Sequence, residues 1–165
     1  MKKTLVLLAG IFLTVAGFSQ SKTLPSVNIK TLEGQSINVQ TLGQTGKITV
    51  ISFWATWCSP CKKELDAISE IYEDWQKKYN MELVAISTDD ARSAAKVPGV
   101  VEAKGWKYRI LLDSNKELSI AANIQSVPYT FLLDQKGNIV YEHIGYAPGD
   151  EDELEEKIAA LAAQK

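Results

Sequence analysis

A run of seven residues near the middle of the chain most constrains the fold. Ile48–Trp54 is almost continuously apolar and β-branched, which predicts a strand buried on both faces of a sheet. The residues that follow, 60–79, place apolar side chains at three- and four-residue intervals with charged side chains between them. This spacing predicts an amphipathic helix. A buried strand that leads into a helix indicates an α/β protein, in which ligand sites lie at the carboxyl ends of the strands.

The two cysteines of the chain lie where this strand passes into this helix. They form the tetrapeptide Cys58-Ser59-Pro60-Cys61, which Trp57 precedes. Free N–H groups and the positive end of the helix dipole favour a thiolate at a helix N-terminus, and the thiolate is the form that attacks disulfides. We therefore interpret the pair as a redox-active dithiol. Cys58 is expected to be the solvent-facing nucleophile, and Cys61, one turn further along, the buried resolving thiol.

Two other uses of the cysteines fit the sequence less well. Structural zinc needs about four ligands, commonly in two pairs, whereas the chain offers two thiols and a single histidine, His143. A purely structural disulfide would close too short a loop to gain much entropic stabilisation. We expect no metal site and no cofactor, and we place His143 on the surface of a hairpin.

Residues 1–19 resemble a secretory signal peptide. Two lysines precede an apolar run over residues 5–15, and small residues stand at the positions that a signal peptidase reads. The run is too short for a comfortable membrane span. We therefore expect an exported, periplasmic protein whose mature domain is residues 20–165, with an uncleaved N-terminal membrane anchor as the alternative.

The composition of the chain excludes some classes of function. Apolar residues make up 45% of the sequence, and the mature chain of about 146 residues suits one domain with one core. The net charge of −2 becomes about −4 without the two N-terminal lysines, which provides no basic surface for nucleic acid. We expect a monomer with no nucleic-acid partner. A single cysteine pair in a domain of this size indicates chemistry rather than a disulfide scaffold.

The remaining patterns predict a mixed central sheet with helices on both faces. A β-hairpin is expected within residues 23–42, because two alternating runs flank Glu33-Gly34-Gln35. Further expected elements are strands at 82–87, 108–112, 129–133 and 139–144, a helical stretch at 88–105 broken by Pro98-Gly99, a short helix at 115–122, and a helix at 150–163 with an Asp150/Glu153 capping box.

This order of elements resembles the thioredoxin superfamily, and more closely its exported TlpA/ResA-type thiol–disulfide oxidoreductases. The motifs that carry the resemblance are Phe53-Trp54-Ala55-Thr56-Trp57-Cys58-Ser59-Pro60-Cys61, Lys62-Lys63-Glu64 and Ser126-Val127-Pro128-Tyr129-Thr130-Phe131. The N-terminal β-hairpin and a central inserted βα segment at residues 88–112 match the same subgroup. The likeness covers residues 24–163 and implies a thioredoxin-like fold with a mixed central sheet flanked by helices.

The resemblance also implies a function and a contact surface. It implies reduction of protein disulfides, including those of apocytochrome c or other envelope proteins, with a membrane thiol-transfer protein as electron donor. It implies that Pro128 follows a cis bond beside the cysteines, and that Val127 and Trp57 contact the substrate. Two alternatives stay open, namely a thiol peroxidase and a non-catalytic binding module of the same fold.

The chain departs from thioredoxin at Ser52. Thioredoxin has a buried aspartate there, which is usually assigned as proton acceptor for the resolving cysteine, and a hydroxyl cannot replace it at neutral pH. Glu64, Asp89 and Asp90 are the nearby candidates for proton transfer. Since carboxylates mostly lie at the surface, we expect each of the three to be solvated.

Overall fold

The structure, a computed structural model, describes residues 22–164 and has a seven-stranded mixed sheet at its centre. The strands are β1 (Asn28–Thr31), β2 (Ser36–Asn38), β3 (Ile48–Trp54), β4 (Met81–Ser87), β5 (Arg109–Leu112), β6 (Tyr129–Leu133) and β7 (Ile139–Ile144). They lie in the order β2-β1-β5-β4-β3-β6-β7. The β3–β4 and β4–β5 pairs are parallel and the other pairs are antiparallel. The predicted N-terminal hairpin and mixed sheet are therefore confirmed.

Helices cover both faces of this sheet, as the order of elements predicts. They are α1 (Ser59–Tyr79), α2 (Val97–Lys104), α3 (Glu117–Ala121) and α4 (Asp150–Ala162), with 3₁₀ turns at Val39–Gln44 and Ala94–Lys96. The apolar side chains of α1 and α4 share one buried cluster, whereas those of α3 and the first 3₁₀ turn belong to a second cluster. The inserted segment supplies α2 and β5.

Strand β3 contributes side chains to both clusters, because all seven of its residues are buried. Val50 and Trp54 pack in the cluster under α1 and α4, while Ile51 and Phe53 pack in the cluster on the opposite face. A strand enclosed on both faces is what its continuous apolar sequence predicts. The carboxyl end of this strand delivers the chain to the N-terminus of α1.

The predicted break at Pro98-Gly99 is wrong. Pro98 lies in the first turn of α2, where a helix does not need the N–H that proline lacks. A proline can end a helix or lie in its first turn, and Pro98 lies in the first turn of α2.

The predicted Asp150/Glu153 capping box is also wrong. The N-cap residue of α4 is Gly149, and no side chain caps the helix. The Asp150 carboxylate instead accepts a hydrogen bond from the N–H of Ala147 at 2.7 Å and lies 3.0 Å from Nε2 of His143. Tertiary partners have taken the place of the local cap.

The predicted signal peptide and its boundary at residue 20 lie outside the described residues. The described chain starts beside β7, where the N–H of Ile139 donates to the carbonyl of Lys22 at 2.7 Å. Between residues 22 and 164, none of the helices has the length and apolar character needed to cross a membrane.

We expect Gly137→Ala to destabilise the protein more than Gly34→Ala. Both glycines have positive φ, +84° and +81°, so each alanine costs about 1–2 kcal/mol of backbone strain. A Cβ on Gly137 would also lie 2.6 Å from the Gly43 carbonyl oxygen, whereas one on Gly34 meets nothing within 4 Å. The overlap should add about 1–3 kcal/mol. Equal losses of unfolding free energy in urea would contradict this reading of the Gly43–Gly137 contact.

Candidate active site

The two cysteines lie at the junction of β3 and α1, as the sequence predicts. Cys58 is the N-cap residue of α1, and its N–H donates to the carbonyl of Ala55 at 3.0 Å. Cys58 and Cys61 form a disulfide with their Cα atoms 5.4 Å apart. The N–H of Cys61 donates to Sγ of Cys58 at 3.2 Å. The helix terminus thus directs a backbone donor at the first sulfur, an arrangement that stabilises negative charge there.

Both cysteines are buried in this oxidised form. Cys61 is 0% exposed, as expected, but Cys58 is only 4% exposed, so the expectation of a solvent-facing first cysteine is wrong for the disulfide. The carbonyl oxygen of Val127 lies 3.7 Å from Sγ of Cys58 and helps to cover it. A disulfide sulfur has no proton, so this contact is not a hydrogen bond. The bond between Val127 and Pro128 is cis, as the resemblance implies.

A groove lies next to Trp57 and Val127, the residue before Cys58 in the chain and the residue whose carbonyl covers its sulfur. Trp57 and Val127 both line the groove, and Trp57 is 70% exposed. The groove has a volume of about 150 Å³. Its other lining residues are Thr88, Lys116, Ser119, Ile124, Gln125 and Ser126. The structure therefore brings two of the candidate substrate contacts together next to Cys58, and Pro128 follows Val127 directly.

Asp89 holds the turn that carries Trp57. Its carboxylate accepts hydrogen bonds from the Thr56 N–H at 2.8 Å, from the Thr56 hydroxyl at 2.6 Å and from the Ser87 hydroxyl at 2.9 Å. Lys62 Nζ donates to the Thr56 carbonyl at 3.0 Å on the same turn. Asp89 is only 1% exposed, so the expectation of a solvated carboxylate is wrong. The Asp89 carboxylate is therefore hydrogen-bonded to the turn that precedes α1.

Asp90 behaves differently from its neighbour. It is exposed, which confirms the expectation for this residue. Its carboxylate accepts the N–H groups of Ser93 at 2.9 Å and Arg92 at 3.1 Å. The hydrogen bond from the Ser93 backbone holds the pKa of Asp90 below its usual value. Asp90 thus closes a local turn at the surface.

Glu64 lies against Ser52, the residue that stands where thioredoxin has its buried aspartate. The Ser52 hydroxyl donates to its Oε2 at 3.1 Å, and the Thr130 hydroxyl donates to its Oε1 at 2.8 Å. Glu64 follows Cys61 by three residues in α1, so the two side chains are neighbours on one helix face. Glu64 is 4% exposed, and the expectation of a solvated surface carboxylate is again wrong.

Burial raises the pKa of Glu64 to about 7 from its ordinary value of 4.5. The hydrogen bonds from Thr130 and Ser52 act in the opposite direction, since they stabilise the ionised form, and so does the positive charge that His143 can carry. Desolvation nevertheless has the largest effect, because an ionised carboxylate loses its hydration on burial. A carboxyl group that titrates near neutral pH is suited to accept and release protons.

His143 and Asp150 lie beside Glu64, and the sequence did not predict this. A cavity of about 10 Å³ lies between Glu64 and a set of side chains from β7 and the start of α4, including His143 and Asp150. His143 was expected on the hairpin surface, but β7 alternates between half-buried and exposed residues. His143 shares the inward side with Ile139 and Tyr141. That two-residue alternation was the available signal.

Together the fold and the site define a thioredoxin-like α/β protein with a Cys-x-x-Cys disulfide at the N-terminus of α1. The chain belongs to the AhpC/TSA family, whose model matches residues 21–142.

Named relatives agree with this assignment. The chain is 32% identical over 146 residues to sporulation thiol-disulfide oxidoreductase A of Bacillus subtilis, covering 85% of this chain and 86% of the relative. It is 30% identical over 136 residues to thiol-disulfide oxidoreductase ResA of Bacillus anthracis, covering 82% and 76%. The solution structure of an uncharacterized thioredoxin-like protein from Porphyromonas gingivalis superposes with a TM-score of 0.78 at 40% identity, covering 88% of this chain and 95% of that one. The resemblance inferred from the motifs is confirmed.

We expect Asp89→Asn to lower the free energy of unfolding by about 1–3 kcal/mol, because an amide cannot accept all three hydrogen bonds and leaves a buried donor unpaired. Asp90→Asn is the matched control and should have a smaller effect, since an amide oxygen can still accept the N–H groups of Arg92 and Ser93. Urea unfolding of both variants measures the difference. Equal effects would mean that the Asp89 contacts do not hold the turn.

We expect Glu64→Gln to remove a pH dependence of stability. Because the pKa of Glu64 rises from 4.5 to about 7 on folding, the folded protein holds a proton in this range that the unfolded chain has lost. The wild-type free energy of unfolding should therefore fall as pH rises from about 4.5 to 7, by up to about 3 kcal/mol. Glutamine does not titrate, so urea unfolding of Glu64→Gln should lack this fall. Glu70→Gln, at an exposed position of α1, should retain it, and a retained fall in Glu64→Gln would refute the assignment.

Proposed function

We propose that this chain is a thiol–disulfide oxidoreductase that reduces disulfides of other proteins. The observation that carries the proposal is the Cys58–Cys61 disulfide at the N-terminus of α1, covered by the Val127 carbonyl and flanked by the groove at Trp57. Relatives that are named thiol-disulfide oxidoreductases support it.

Cys58 starts the reaction from the dithiol form. Its thiolate attacks one sulfur of the substrate disulfide, so that a bond forms between Cys58 and the substrate while the substrate's own S–S bond breaks. The leaving thiolate takes a proton from solvent. The N-terminus of α1 favours the Cys58 thiolate. Trp57 and the backbone of Val127 position the substrate segment, and Pro128 places no N–H beside the reacting sulfurs.

Glu64 serves the second step. The Cys61 thiol transfers its proton to the Glu64 carboxylate, and the resulting thiolate attacks Cys58. The Cys58–Cys61 disulfide forms, the mixed disulfide breaks, and the second substrate thiolate leaves. Two electrons have then passed from the dithiol to the substrate. Glu64 suits this step because it neighbours Cys61 on α1 and its pKa of about 7 lies near the working pH.

The finer parts of the proposal concern location and partners. The signal-like sequence of residues 1–19 supports export to the periplasm, with an anchored form as the alternative. The resemblance to the TlpA/ResA type supports envelope substrates such as apocytochrome c. It also supports a membrane thiol-transfer protein that returns two electrons to the Cys58–Cys61 disulfide. We propose that the protein acts as a monomer.

The two alternative functions make different demands on Cys58. A thiol peroxidase oxidises this cysteine to a sulfenic acid with peroxide, and a binding module keeps its disulfide as a structural bond. Structural disulfides have reduction potentials below about −300 mV. The pairing of Cys58 with a cysteine one turn away favours exchange with other disulfides over either alternative.

We expect wild-type protein to accelerate insulin reduction by dithiothreitol, and both single cysteine variants to lose this turnover. Cys61→Ser should accumulate a mixed disulfide with the substrate, because Cys58 can still attack and nothing resolves the product. Cys58→Ser should accumulate none, because Cys61 has no exposed surface and lies one turn further into α1. Non-reducing electrophoresis and mass spectrometry identify the trapped species.

Three results would count against the proposal. Trapping through Cys58→Ser alone would reverse the roles of the two cysteines. Rapid consumption of hydrogen peroxide without insulin reduction would favour the peroxidase. A reduction potential in the range of structural disulfides, together with no insulin reduction, would favour the binding module.

A further inference from the structure

The inner wall of the small cavity next to Glu64 is buried and its outer wall reaches solvent. Glu64 and Thr130 are almost completely buried, whereas the side chains of His143 and Asp150 are each 30% exposed. All four line the cavity, whose volume of about 10 Å³ is close to the minimum that holds one water molecule. A buried carboxyl group and a solvent-accessible imidazole thus share one cavity.

Titratable groups approach Glu64 from several elements. They are Tyr108 just before β5, Tyr141 and His143 of β7, Tyr146 of the following loop, and Asp150 and Glu151 of α4. The partners on β3 and β6 are the neutral hydroxyls of Ser52 and Thr130. The side chains on this side that can take a proton from Glu64 are therefore phenols, carboxylates and one imidazole.

The proton affinities of these groups select the imidazole. Burial raises the pKa of Tyr146 to about 12 and also raises the pKa values of Tyr141 and Tyr108. The N–H of Ala147 holds the pKa of Asp150 below its usual value. Imidazole is the side chain that ordinarily changes charge between pH 5 and 8. A group that transfers protons works best when its pKa lies near the working pH, and burial raises the pKa of Glu64 to about 7.

Hydrogen bonds fix the orientation of the imidazole. Nε2 of His143 lies 3.0 Å from Oδ2 of Asp150, and Nδ1 lies 3.3 Å from the hydroxyl of Tyr141. The Ala147 N–H holds Asp150 in turn at 2.7 Å. The ring is therefore held at the outer wall of the cavity, and its exposed part reaches solvent.

We propose that His143 is the group through which buried Glu64 exchanges its proton with solvent. The inference rests on the proposed function, in which Glu64 receives the Cys61 proton in every cycle and must lose it before the next. The proton crosses the cavity from the Glu64 carboxyl to Nδ1 of the imidazole, because the Tyr141 hydroxyl that faces Nδ1 can donate to Glu153 instead. The imidazolium then releases a proton to water. His143 acts through Glu64, and Asp150 is a positioning residue that orients the ring.

A pH jump across neutral pH on the oxidised full-length protein tests this exchange without a substrate. The infrared carbonyl band of protonated Glu64, identified by its loss in Glu64→Gln, reports deprotonation. We expect His143→Ala to slow this deprotonation ~10-fold or more, and imidazole in the buffer to restore the rate. His143→Gln, which keeps an N–H for Asp150, should be equally slow. His143→Lys should be slow too, because it keeps a positive charge but does not titrate near neutral pH.

Three outcomes would overturn the proposal. One is an unchanged rate of Glu64 deprotonation in His143→Ala and His143→Gln. Another is a slow rate that imidazole does not restore. The third is a wild-type rate in His143→Lys, which would mean that only the charge of His143 matters. The same variants in insulin reduction separate this inference from the proposed function. If the His143 variants reduce insulin normally and Glu64 loses its proton at the wild-type rate after the pH jump, the role of His143 is refuted and the proposed function stands. If Glu64 deprotonation is slow in His143→Ala and imidazole restores its rate, but the wild-type protein reduces no disulfide, the proposed function is refuted and the role of His143 stands.

Discussion

The complete burial of β3 is the constraint on which the site depends. With both faces covered, a shift of its register by one residue would move every side chain to the wrong face. The strand carries the buried hydroxyl of Ser52 toward α1, where it meets Glu64. At its end, the carbonyl of Trp54 accepts the N–H of Thr88 at 2.8 Å. The strand thus sets both where the chain turns toward Cys58 and which polar group lies beneath α1.

Ser52, Thr130 and Glu64 form one buried polar cluster, in which Ser52 stands where thioredoxin has its aspartate. Ser52 and Thr130 face each other in the register of β3 and β6, so two hydroxyl donors converge on one carboxylate. Two neutral donors compensate only part of the cost of burying a charge, which is why the pKa of Glu64 stays near 7. Stronger partners would stabilise the fold, but they would hold the carboxylate ionised and weaken it as a proton acceptor.

Elements with a long, regular pattern were predictable from the sequence. The bounds of β3, β6 and β7 agree with the structure, and α1 differs by one residue at its start, because local periodicity determines these elements. The surroundings of two of the three candidate carboxylates, Glu64 and Asp89, were not predictable in this way. Glu64 is buried because strands distant in sequence place Ser52 and Thr130 opposite each other, and Asp89 is buried because it binds the turn at Thr56. Sequence alone contains neither the register nor the loop contact.

The groove at Trp57 and the buried carboxyl group of Glu64 lie on opposite faces of the sheet. The groove includes Ser119 of α3, which covers one face, whereas Glu64 lies under α1 and α4 on the other face. Cys58 and Cys61 belong to the cluster under α1 and α4, and the Val127 carbonyl beside the groove lies 3.7 Å from Sγ of Cys58. Substitutions in distant, separately supported regions tend to act independently. Under the proposed function, substitutions in the groove beside Trp57 can therefore change substrate contact without changing the pKa of Glu64.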